Sequence, residues 1–312
     1  MVLISIFDRK TLMFDTPILF LVFNRPEHTR KVFERIREIK PKYLFVAADG
    51  PRISHLEDAE KCTSVRSLIT QGMDWDCEMK TLFREENLGC GKGPAEAITW
   101  FFDQVEEGII LEDDCLPDPS FFAFCSELLT FYRNEERVMH ISGNNFQDGK
   151  SRGNAPYYFS MFSHNWGWAT WRRAWKMFDF NLLKREQVVF DFYRIPKIEQ
   201  NYWNRNFENC MNGNPDIWDF QWAYSIWSNS GLSILPNVNL VKNIGFDEDG
   251  THTKKHHDFL SISTGSLNFI KHAKDIKIDP SADRHTFNKY YSVKQSFVNR
   301  IKLTLKSFIE KR

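Results

Sequence analysis

The chain has 312 residues, enough for one large α/β domain, and its 41 basic and 41 acidic residues cancel, which excludes the global basic field of a nucleic-acid binder. Six cysteines are scattered with no CxxC pair, which excludes a zinc ribbon and a thioredoxin motif and fits free thiols in a reducing cytoplasm. No apolar run approaches the ~20 residues that span a bilayer, and the N-terminus has no small-residue cleavage site after a continuous apolar core, so the sequence reads as cytoplasmic.

The first half alternates between two periodicities. Ile18 to Phe23 reads as a buried strand, and Glu27 to Ile39 as a helix opened by Pro26, with Val32, Phe33, Ile36 and Ile39 at helical spacing. Tyr43 to Ala48 is a second strand closed by the turn Asp49-Gly50-Pro51, and a helix follows from Leu56 to Ile69. Glu78 to Arg84 is a third strand. Then come a glycine-rich loop, NLGCGKG, a helix from Pro94 to Val105 and a fourth strand, Gly108 to Leu111. This order predicts a mostly parallel sheet with helices on both faces, in which ligands bind beyond the carboxyl ends of the strands. Asn24-Arg25, Asp49, Asn87-Leu88-Gly89 and Glu112-Asp113-Asp114 all follow strands, so one edge should collect them.

The second half is less regular. It offers a strand at Val138 to Ser142, the Trp-rich run HNWGWATWRRAW, helices between about Leu182 and Trp227, and short strands near Leu232 and Leu240. No repeat or low-complexity linker divides it, so one catalytic domain over residues 1–260 is expected, with a nucleotide-binding half at about 17–115 and an acceptor-side half at about 116–260. A C-terminal extension, 261–312, ends in KQSFVNRIKLTLKSFIEKR. There Phe297, Ile301, Leu305 and Phe308 recur at helical spacing among basic residues, as in a helix lying on an anionic membrane or packing on protein.

The chemistry concentrates in GIILEDDCLPDPSFF. Three acids follow an apolar run, and like charges crowded at a strand end cost free energy unless a cation joins them. Mg²⁺ and Mn²⁺ are commonly held by one or two carboxylates plus ligand phosphates and waters, and carboxylates one or two positions apart after a strand can reach such an ion together. The run LGCGKG lacks the spacing of a P-loop, but its amides and Lys92 suit a phosphate, and glycines required for packing alone explain it equally well.

EDDCLPDPSFFAFC resembles the EDD segment of the N-acetylglucosaminyltransferase I-like enzymes and related bacterial sugar transferases. PILFLVFNRPEHTRKVFERI is similar to their first strand and helix, LFVAADGPR to their second strand, FSHNWGWATWRRAW to their Gly-Trp segment and IWDFQWAYSIW to the start of their catalytic-base helix. These pieces run in the family's order over about residues 17 to 255. The resemblance implies a GT-A fold and inverting, metal-dependent transfer of a sugar from a nucleotide-diphosphate donor, a UDP-sugar, to a glycan or lipid-linked glycan. No nucleic-acid partner is expected, since the net charge is zero.

Carried over by position, Arg25 and Asp49 would bind the nucleotide, Asp49 accepting the uracil ring N–H. Its other reading is a plain Asp-Gly turn. Leu88, Gly89 and Lys92 would flank the donor, Asp114 would ligate the metal, Asp113 would hold the ribose or a metal-bound water, and Glu112 would support both. Gly167 and Trp168 would meet the donor sugar, Trp166 and Trp171 the acceptor, although core packing is the ordinary use of so many tryptophans. His252 resembles the late histidine that closes the metal site. Asp219 is the expected general base. The family's two adjacent acids before a Trp are here Asp219-Phe220-Gln221-Trp222, which leaves Asp216 as the alternative base and either Asp as a helix cap. Two other functions compete: a nucleotidyltransferase, disfavoured because FNRPEHT replaces its usual glycine-rich loop, and a non-catalytic sugar- or lipid-surface module, which would need neither the acids nor a base.

Overall fold

Every residue of Ile18–Val22 is buried, the pattern of a strand covered on both faces. The computed structural model describes residues 4–5, 14–183, 190, 192–213, 216–246 and 262–291. In chain order these form β1 (Ile4–Ser5), β2 (Ile18–Val22), α1 (Pro26–Ile39), β3 (Tyr43–Ala48), α2 (Asp58–Gln71), β4 (Glu78–Phe83), α3 (Gly89–Phe102), β5 (Glu107–Glu112), β6 (Cys115–Pro117) and α4 (Pro119–Phe131). There follow β7 (Val138–Ser142), β8 (Tyr157–Ser160), β9 (Trp168–Trp171), α5 (Arg172–Trp175), α6 (Lys197–Met211), α7 (Asp219–Ser228), β10 (Leu232–Pro236), β11 (Val241–Asn243), β12 (Phe269–Ile270), α8 (Pro280–Thr286) and a π-helical turn, Phe287–Tyr291.

The central sheet has eight strands in the order β4-β3-β2-β5-β9-β7-β10-β8. Strands β4, β3, β2 and β5 run parallel, with Leu19 opposite both Phe45 and Ile110. β9 enters antiparallel beside β5 and β7, β10 lies parallel to β7, and β8 closes the edge antiparallel. The expected α/β architecture, a mostly parallel sheet flanked by helices, is borne out. The reason is visible in the burial: α1 turns Val32, Phe33 and Ile36 inward, and α4 buries Phe121, Phe122, Phe124, Leu128 and Leu129 against the sheet.

Two expectations change. Helix α3 begins at Gly89 rather than Pro94, so the glycine-rich segment is the first turn of the helix and not a loop before it. Within the Trp-rich run, Trp168–Trp171 form a central strand, β9, whose four residues are all buried, and Arg172–Trp175 form α5. Behind the acids, β11 pairs antiparallel with β6, Asn243 opposite Cys115. Among the described residues no helix is long and apolar enough to cross a membrane. His252 and the basic segment 294–312 lie outside the described residues.

Candidate active site

Because β2, β3, β4 and β5 are parallel, their carboxyl ends share one edge, and the acids sit at its centre. The Phe23 N–H after β2 donates to Asp113 Oδ2 at 3.2 Å. Arg25 Nη1 donates to Asp114 Oδ2 at 3.2 Å and lies 3.9 Å from Asp113 Oδ1. Asp114 is further bounded by the Cys115 thiol, 3.4 Å from Oδ1, and its carbonyl accepts from the Ile244 N–H at 2.8 Å. The Ile244 carbonyl meets His28 Nε2 at 3.0 Å, tying the segment after β11 to α1. Gly245 has no room for a side chain: a Cβ there would stand 2.5 Å from Asp114 Oδ2.

Three carboxylates thus crowd around one guanidinium. Burial, then the neighbouring Asp114, Asp113 and Asp219 carboxylates, push Glu112 well above the usual range. Burial and then Asp114 push Asp113 up to about 7, with Arg25 opposing. Among the described residues no group of three His, Cys, Asp or Glu side chains converges as a metal cage. The hard oxygen donors of Asp113 and Asp114 nevertheless fit a Mg²⁺ or Mn²⁺ ion that takes its remaining ligands from phosphate and water.

Asp49 and Asp216 occupy the start of α3 together. Asp49 accepts from the Leu88 N–H at 3.1 and 2.9 Å and from the Gly89 N–H at 3.2 Å. Burial raises Asp49, and these amides oppose the rise. Asp216 Oδ2 accepts from the Cys90 N–H at 2.9 Å and Oδ1 from the Gly91 N–H at 3.0 Å. The orphan amides of the helix start are therefore satisfied by two carboxylates from elsewhere in the chain. That explains how a glycine-rich segment with Pro94 inside it holds as helix. Here Asp216, the alternative base, is engaged as a helix cap. Lys92 pairs with Glu96 at 3.5 Å on the exposed side of α3.

A second network escaped the sequence. Asp58, at the first residue of α2, accepts from Asn24 Nδ2 at 2.7 Å, from Arg52 Nε at 2.6 Å and from Arg52 Nη2 at 3.0 Å. The Arg52 guanidinium lies 5.3 Å from the centre of the Phe23 ring. An acid opening a predicted helix just after the DGPR turn was the available signal, although the predicted start at Leu56 hid it.

The aromatic platform needs correction. Trp168 is fully buried and Trp171 is 1% exposed, so neither offers a face to a sugar. Three residues apart in a strand, they project to opposite faces: Trp168 packs against Trp218 and Trp222, and Trp171 against α4 through the Leu129 carbonyl. Gly167, with φ of +69°, makes room for Val241 and Leu111: a Cβ would stand 2.8 Å from Val241 Cγ2. Trp166 is half-buried and meets Phe246 edge-on at 5.4 Å, close to the Gly245 that abuts Asp114. Asp219 is exposed at the first residue of α7, its Oδ1 accepting from the Phe220 N–H at 2.9 Å, within electrostatic reach of Glu112. A separate cleft of about 410 Å³, lined by Thr99, Phe102, Arg172 and Trp175 among others, contains none of the predicted site residues.

No family model matches the chain, and no curated protein matches it. Two solved structures described as UDP-glucose pyrophosphorylase, one complexed with UDP-glucose and one apo, superpose with TM-scores of 0.33 each. Their identities are 10% and 9%, over 71% and 70% of this chain and 90% of each of theirs. At that score the likeness carries no weight for either fold or function.

Proposed function

We propose that the protein is an inverting glycosyltransferase of GT-A type. In this reading it moves a sugar from a nucleotide-diphosphate donor, most simply a UDP-sugar, to a glycan or lipid-linked glycan. The observation that carries it is the Arg25–Asp113–Asp114 corner at the carboxyl edge of four parallel strands, with Asp219 exposed and within electrostatic reach of Glu112. Asp113 and Asp114 would hold a divalent ion, which would offset the charge of a diphosphate leaving group. Asp219 takes the proton of the acceptor hydroxyl as that oxygen attacks the anomeric carbon. Arg25 holds the two acids in register. Asp49 shapes the start of α3 beside the nucleotide; the amides it accepts stand in for the uracil contact expected of it.

A nucleotidyltransferase that makes an activated sugar is the competing enzyme class. The β2–α1 connection speaks against it, because only Phe23, Asn24 and Arg25 separate the two elements, which leaves no long phosphate-wrapping loop. Calorimetry with UDP, with and without Mn²⁺, followed by a screen of UDP-sugars for metal-dependent hydrolysis, tests the transferase. Pyrophosphate-dependent formation of UTP from a UDP-sugar, without hydrolysis, would establish the other class.

A further inference from the structure

Asp216 holds more than the end of a helix. Its two carboxylate oxygens take consecutive amides of α3, and the space for this is made by glycine on the other side. A Cβ at Gly89 would stand 2.3 Å from Asp216 Oδ2, and one at Gly91 2.5 Å from Oδ1 and 3.0 Å from the Ile217 carbonyl. Gly89 also has φ of +81°, which side-chain-bearing residues adopt at a cost. Both glycines are thus matched to the segment that Asp216 opens.

The segment leads directly into α7. The Ile217 carbonyl accepts from Gln221 Nε2 at 2.8 Å, and the Trp218 carbonyl accepts from the Trp222 N–H at 3.1 Å. The Trp218 ring stacks on Trp168 at 5.5 Å, which seats the segment on the sheet by apolar contact. Trp218 therefore fixes depth, while the two directional bonds of Asp216 fix position along and around α3. The next residue is Asp219.

We infer that Asp216 is a positioning residue: by clasping the Cys90 and Gly91 amides it locks the start of α7 to the start of α3 and so fixes Asp219 relative to the acids. This rests on the reading of Asp219 as the base. The relevant scale is that a misplacement of ~1 Å at a reacting group costs ~100-fold in rate.

The test uses the full chain, with Asp216→Asn as the main variant because it keeps size and one acceptor oxygen. Because the start of α3 adjoins the nucleotide in this reading, calorimetry with UDP and Mn²⁺ should show a loss of affinity clearly smaller than the loss of rate. Hydrolysis of UDP-glucose, UDP-galactose and their N-acetyl forms should slow about tenfold or more. In Asp216→Asn combined with Asp219→Asn, the rate should equal that of Asp219→Asn alone, since a residue acting only through Asp219 has nothing left to lose. Additive losses, or a fall in UDP affinity matching the fall in rate, would overturn the inference. Hydrogen exchange tests the clasp without any donor: in Asp216→Ala, protection should drop at Cys90, Gly91 and Trp222 and persist in the rest of α3. Unchanged exchange at Trp222 overturns it. A wild type that neither binds UDP with metal nor hydrolyses any donor removes the transferase reading, while exchange still decides whether α3 and α7 are locked.

Discussion

Arg25 meets Asp114 at 3.2 Å, Nη1 to Oδ2, across 89 positions of sequence, where the sheet edge gathers three acids. Both side chains are 17% exposed, so water screens them little. Removing the cation in Arg25→Met leaves Asp113, Asp114 and Glu112 without their guanidinium. Breaking a buried pair from one side costs about 3 kcal/mol or more. The expected result is a loss of that size by urea unfolding. Mn²⁺ should then raise the melting temperature of the variant more than that of wild type, because the ion supplies charge that the arginine no longer does. Identical unfolding curves would contradict this electrostatic account of the corner.

Gly245→Ala approaches the same acid from behind without deleting a donor atom. The new Cβ would lie 2.5 Å from Asp114 Oδ2 and 2.9 Å from Asp114 Cβ, closer than atoms tolerate, so the Asp114 side chain and the backbone at 245 must move apart. Displacing a group that orients a ligand typically lowers metal affinity about 10-fold to 100-fold. Metal-dependent UDP binding by calorimetry should weaken by that factor, with little change in the metal-independent part. A variant that binds UDP and Mn²⁺ like wild type would place the metal away from Asp114.

How much of this was legible follows from where each signal sits in the chain. Strands β2 and β3 were readable because apolar runs of five and six residues end in turn residues, and β5 because the short run Gly108–Leu111 stops directly at the acids. The start of α3 was not readable. Glycine and proline argue locally against helix, and the carboxylate that settles the matter, Asp216, lies 125 positions from Gly91. The tryptophans misled for a similar reason. Four residues, WATW, are too few to declare a strand buried on both faces, and only α7 packing on Trp168 and α4 on Trp171 does so. Asp58 was hidden because its donors are split between Asn24 and Arg52, two turns that sequence spacing does not join.

Two tryptophans in one motif should therefore behave differently. Trp171 is 1% exposed, donates its Nε1 to the Leu129 carbonyl at 3.1 Å and carries Arg173 above its ring at 4.4 Å. Trp171→Ala should lose about 3–5 kcal/mol of stability, the cost of emptying a large core site and orphaning a carbonyl. Trp166 is only half-buried, so Trp166→Ala should unfold closer to wild type and act on acceptor-dependent turnover. Denaturant midpoints for both variants, and donor turnover with and without added glycan acceptor, check this. Equal destabilisation would show that Trp166 also belongs to the core.

Asp58 gives a pH dependence whose sign is fixed by its partners. The Arg52 guanidinium, opposed by burial and helped by Asn24, lowers its carboxyl to about 2. The unfolded value is about 3.9. Between the two, the unfolded chain binds more protons, so stability rises with pH there. The contribution is complete above about pH 4 and is lost as pH falls through 2. A shift of that size corresponds to on the order of 2 kcal/mol at neutral pH. Asp58→Asn should be less stable than wild type by that order at pH 7, and the gap should narrow as acid titrates the wild-type carboxylate. Urea midpoints between pH 7 and pH 2 measure it directly. A gap that stays constant down to pH 2 would mean that Asp58 acts through shape and neutral hydrogen bonds, with no net gain from its charge beside Arg52.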